Sequence, residues 1–158
     1  MTPPRTLHVD GEAMARLVAD LLAAGSCVRL VARGGSMSPW IRDGDVLTIA
    51  PTPGSSRGRP RPGDVVAFRH PGSDRLVIHR LVSRGGGGWI ARGDRCPAPD
   101  GFVANGDVLG VVTEATCGRR RRLHPQGVPG LLLAAASRFS LRLRDRLRPA
   151  VPGIPDLR

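Results

Sequence analysis

Residues 65–91 read VVAFRHPGSDRLVIHRLVSRGGGGWIA. Three apolar runs, 65–68, 76–82 and 89–91, are separated by Pro-Gly-Ser-Asp and by a block of glycines. Short runs rich in Val, Ile, Phe and Trp, closed by turn formers, are the pattern of strands joined by tight connections. None is long enough, or spaced at three and four residues, to make an amphipathic helix. The same pattern extends outward to 27–32 and 46–50 upstream, and to 108–116 and 119–123 downstream. The segments 51–62 and 95–104 are rich in Pro and are predicted to be loops. The resulting expectation is a mostly β domain, a barrel or folded sheet, with a helix at each end.

The first of those helices is capped by Asp10, runs to about Ala24 and is ended by Gly25. Met14, Leu17, Val18, Leu21 and Leu22 follow the spacing of one buried face. The second occupies 128–148, with Leu132, Ala136, Phe139, Leu143 and Leu147 on one stripe and Arg138, Arg142, Arg144, Arg146 and Arg148 over much of the rest. The chain thus divides into a loose tail (1–9), a β domain (10–125) and a basic amphipathic helix with its tail (126–158).

Composition narrows the chemistry. The chain has 158 residues and a formal charge of +11, and every basic residue is arginine, with no lysine. Three separated cysteines, Cys27, Cys96 and Cys117, give neither a disulfide framework nor a zinc site, and no cofactor or metal is expected. The first ten residues lack a basic segment followed by an apolar run, and no stretch reaches the roughly 20 apolar residues of a membrane span. The expected location is the cytoplasm. The arginine run 119–122 has no accompanying nucleic-acid motif, and stacking aromatics are scarce, so no specific nucleic-acid partner is expected. The basic helix could instead lie against an anionic inner-membrane surface.

Three places can carry chemistry. In Gly34-Gly35-Ser36-Met37-Ser38-Pro39 the glycines permit a tight turn that exposes the Ser36 hydroxyl and frees its N–H to face an oxyanion. His79 lies in a strand, on the face opposite Ile78 and Arg80, and a neutral imidazole is the commonest general base. In 93–100, Asp94 and Asp100 are each able to accept an imidazole N–H. Taken singly, the loop and the histidine are better read as a turn and a strand histidine bonded to a neighbour, and the plain reading of the aspartates is that both cap turns.

Together they resemble the type I signal peptidase superfamily. The resemblance runs, in order, through Gly35-Ser36-Met37-Ser38-Pro39, Asp43-Gly44-Asp45-Val46, and Arg61-Pro62-Gly63-Asp64-Val65-Val66-Ala67-Phe68. It continues through His79-Arg80, Arg92-Gly93-Asp94 and Val108-Leu109-Gly110-Val111-Val112, covering about 27–115. It implies a folded β-sheet fold and a serine peptidase. The common bacterial enzymes and the SOS-repressor family pair serine with lysine, a pairing that this lysine-free chain lacks. It is more similar to the archaeal, endoplasmic-reticulum and spore-former type, which carries His-Arg at that position. The resemblance then implies Ser36 as nucleophile, His79 as base, Asp94 as the first choice to orient the histidine and Asp100 as the second. Asp45 and Asp64 are read as structural, and Arg80 as facing either an aspartate or solvent. The chain departs from the pattern at Gly34, where a serine is frequent, at Trp40, where a small hydroxyl residue is usual, and at Cys96, which replaces an asparagine.

The expected function is a serine endopeptidase acting on a peptide or protein precursor. The alternative is an inactive peptide-binding pseudo-peptidase of the same fold. A self-cleaving regulator, suggested by Ala24-Gly25 upstream of Ser36, is the weakest of the three.

Overall fold

A computed structural model describes residues 10–52, 59–118 and 120–122, together with positions 129, 130, 132 and 135. The expected N-terminal tail, the centre of the 51–62 loop and almost all of the C-terminal helix and tail lie outside the described residues.

Helix α1 spans Gly11–Ala23. The Asp10 carboxylate caps it by accepting the N–H groups of Glu12 (3.0 Å) and Ala13 (2.8 Å). At the other end Gly25 takes φ +81°. Its N–H donates to the Leu22 carbonyl and that of Ser26 to the Leu21 carbonyl, both at 3.0 Å. This 6→1 and 5→2 pair closes a helix through a left-handed residue. The buried stripe is Ala15, Val18 and Leu22, with Met14 packed beside it. Leu17 (46%) and Leu21 (40%) are exposed. The helix is therefore rotated from the expected face: Ala15 joins Met14, Val18 and Leu22 on the inner side, and Leu17 and Leu21 turn outward.

The strands are β1 (Val28–Val31), β2 (Val46–Pro51), β3 (Val65–Arg69), β4 (Leu76–Gly85) and β5 (Gly88–Arg92), followed by β6 (Phe102–Ala104), β7 (Val108–Cys117) and β8 (Arg120–Arg122). They form one antiparallel sheet ordered β1-β2-β7-β3-β4-β5-β6, with β8 also on β7. The mostly β expectation holds. One strand was not expected: β6 lies in the segment read as a Pro-rich loop. It pairs with Gly88–Ile90 of β5, and it can approach because Gly88 has no side chain. A Cβ there would stand 2.4 Å from the Val103 carbonyl oxygen and 2.5 Å from Phe102 Cζ.

Both faces of the sheet are covered. On one, Val28, Leu47, Ile49, Val65, Ala67, Val112 and Ala115 pack with Val18 and Leu22 of α1. On the other, Val66, Phe68, Leu81, Trp89, Ala91, Val103, Val108 and Val111 form a second core. The register pairs Val66 with His79 and Val65 with Arg80. Adjacent strand residues point to opposite faces, so His79 shares the Phe68 side and Arg80 the helix side.

The rotated helix gives a direct test. Leu22→Ala removes a fully packed side chain and should cost about 2–5 kcal/mol. Leu21→Ala should change stability by about 0.5 kcal/mol or less. Urea denaturation of the two variants measures both values.

Candidate active site

Ser36 sits in the loop 32–45, between β1 and β2. The loop is pinned at its base, where the Ala32 N–H donates to the Asp45 carbonyl (2.7 Å) and the Gly44 N–H to that of Ala32 (2.9 Å). Asp43 Oδ1 accepts the Gly34 N–H at 2.8 Å, and Asp45 Oδ2 accepts the Arg42 N–H at 2.8 Å. Met37 and Ile41 are buried in the helix-side core. The residue following Ser36 is thus anchored inside, while Ser36 itself is half-buried at the surface of the sheet. Asp64 plays the same part as Asp45 in its own turn, accepting the Arg61 N–H at 2.9 Å. The structural reading of both aspartates agrees with these bonds.

The Ser36 hydroxyl meets His79 Nε2 at 2.8 Å. The opposite ring nitrogen, Nδ1, meets Asp100 Oδ2 at 2.7 Å. The Phe68 ring lies 6.4 Å away, tilted by 55°, and walls one side of the imidazole. A carboxylate accepts only, so Nδ1 carries the proton in the neutral ring and Nε2 is left to accept from the serine. An imidazole held in this tautomer can withdraw a proton from a hydroxyl, and the carboxylate can stabilise the cation that forms.

The expected order of the two aspartates is reversed. Asp94 does not touch His79; its two oxygens accept Arg80 Nε (2.8 Å) and Nη2 (2.7 Å), with both side chains 1% exposed. The pleat explains it. Arg80 is paired with Arg92 across β4 and β5, so Asp94, two residues beyond Arg92, continues on the Arg80 side. Asp100 reaches His79 because its own N–H returns to the Ala91 carbonyl at 2.9 Å. Ala91 is opposite Leu81, on the histidine's side.

Two further residues complete the surroundings. Gly93 lies directly against the pair: a Cβ there would stand 2.9 Å from the Ser36 carbonyl oxygen, 3.0 Å from His79 Nε2 and 2.7 Å from Cys96 Sγ. The resemblance had placed Gly93 in a motif but gave no reason for it. Cys96 therefore borders the same small space. Burial, and next the negative charge of Asp100, push its thiol pKa up, so it stays protonated near neutral pH. Among the described residues no group of His, Cys, Asp and Glu could hold a metal ion, and no helix is long and apolar enough to cross a membrane.

A sheet that brings a serine, a histidine and an aspartate into one hydrogen-bonded series has the site architecture of a hydrolytic domain. A family model described as Peptidase S24-like matches residues 4–92, more than half of the chain, and the chain belongs to that peptidase family. The match takes in Ser36, His79 and Arg80 and ends before Asp94 and Asp100. No curated protein and no solved structure matches the chain.

Two measurements probe this geometry. Gly93→Ala should destabilise the protein by about 1–3 kcal/mol, since the added methyl meets backbone and a buried ring; urea unfolding would show it. In timed iodoacetamide labelling near pH 8, Cys27 and Cys117, both exposed, should react before Cys96, whose raised pKa keeps its thiolate fraction low. Peptide mass mapping reads the order.

Proposed function

We propose that the chain is a serine endopeptidase of the signal-peptidase type. Ser36 is its nucleophile, His79 its general base and Asp100 the group that orients the histidine. The observation that carries this reading is the continuous series from Asp100 through His79 to Ser36, with contacts of 2.7 and 2.8 Å. In the reaction His79 Nε2 takes the serine proton as Oγ attacks the scissile carbonyl. It then delivers that proton to the departing amine, leaving an acyl-enzyme for water to hydrolyse. The absence of lysine from the sequence supports a histidine base over a serine–lysine pair.

A self-cleaving role at Ala24-Gly25 draws no support from the fold. That peptide bond lies within the hydrogen-bonded closure of α1, not in an extended segment that could enter a site. An inert peptide-binding role would not need the Ser36–His79–Asp100 series to be kept in bonding order.

Incubation with a proteome-derived peptide library, with new termini read by mass spectrometry, tests the proposal. Wild type should generate a defined set of cleavages. Ser36→Ala and His79→Ala should each abolish it, and the double variant should be no worse than either single one, because the two act as a unit. Asp100→Asn should lower kcat by about 10³-fold or more by releasing the ring tautomer. Persistent cleavage in His79→Ala would remove histidine from the mechanism.

A further inference from the structure

We infer that Arg80 and Asp94 are positioning residues for Ser36, acting through the backbone of the 93–95 turn and not through His79. This rests on the proposed catalytic role of Ser36. Besides its two bonds to Asp94, the Arg80 guanidinium donates Nη1 to the Gly63 carbonyl at 2.6 Å. One buried cation therefore ties together β4, the turn before β3 and the turn after β5. Asp94 is the middle residue of that last turn. On one side of it Gly93 packs against the Ser36 carbonyl oxygen and the His79 ring. On the other, the Arg95 N–H donates to the same Ser36 carbonyl at 2.8 Å.

The nucleophile's backbone is thus gripped by the two neighbours of a residue that is itself locked by a two-pronged ion pair. A guanidinium fork bound to both carboxylate oxygens fixes direction as well as distance. Loosening it frees the turn, lets the Ser36 carbonyl shift and takes Oγ out of line with Nε2. Reacting groups misplaced by about 1 Å lose rate on the order of 100-fold. His79 keeps its partner, because Asp100 is held separately by the Ala91 carbonyl.

The test uses the library peptide that wild type cleaves fastest, with Asp94→Asn as the main variant. A folded Asp94→Asn should lose kcat on the order of 100-fold with KM within about twofold of wild type. Its low-field NMR signal from the His79 Nδ1 proton bound to Asp100 should persist. Undiminished kcat, or a rise in KM alone, overturns the inference. Loss of the Nδ1 signal together with kcat also overturns it, since the pair would then act through His79. If Asp94→Asn does not fold, Arg80→Lys keeps the charge, loses the fork and should show the same split. Unfolding of both variants overturns the inference, because the pair would serve the fold as a whole. No cleavage by wild type, or full cleavage by Ser36→Ala, overturns the catalytic reading itself and the positioning role with it.

Discussion

The pleat of β4 is the constraint from which the site follows. His79 and Arg80 are neighbours in sequence and so must face opposite sides of the sheet. One side holds Phe68, Leu81 and Ala91, and there the imidazole has a wall and a carboxylate. The other holds Val65 and Ala67 under the helix, and there a guanidinium is buried that must find an anion and further acceptors. Asp94 and the Gly63 carbonyl meet that need. Two adjacent residues of one strand therefore recruit two different aspartates from one loop.

The buried pair is poorly explained as a source of stability. Taking a guanidinium and a carboxylate out of water costs several kcal/mol per ion, and their attraction offsets this only with good geometry and further hydrogen bonds. Apolar residues of similar volume would often hold a core as well. An apolar pair, however, would slide. The bidentate contact with a third bond to Gly63 admits one arrangement of three chain segments, and two of them, β4 and the 93–95 turn, contact Ser36.

Much of this was legible in the sequence. Short apolar runs between Gly and Pro clusters marked seven of the strands, and Asp10 and Gly25 marked both ends of α1. Ser36 and His79 were picked out by an ordered set of motifs. What stayed hidden was long-range register. Asp94 and Asp100 lie six positions apart in one loop, and nothing local says which of them returns to the histidine. That depends on the pairing of Arg80 with Arg92 and on the extra residue between Leu81 and Ser83, both properties of the assembled sheet. The Gly63 carbonyl had no signal at all, since every residue carries one. Strand β6 was missed because three residues in a Pro-rich context are too few to show a period, and the pairing depends on space left by Gly88. The rotation of α1 was missed because five apolar residues offered two adjacent faces, and only docking on the sheet chose between them.

The place of β7 in the sheet has a temporal meaning. Ser36 hangs from the β1–β2 hairpin, while His79 and Asp100 belong to the meander from β3 to β6. In the hydrogen-bonded order these two units are joined through β7, which follows all of them in the chain. As a nascent chain leaves the ribosome, each unit can fold from local contacts, but the strand that seats one beside the other emerges last. Pairings so distant in sequence are slow to form. Until β7 enters between β2 and β3, no sheet pairing sets the register of the serine's hairpin against the histidine's meander.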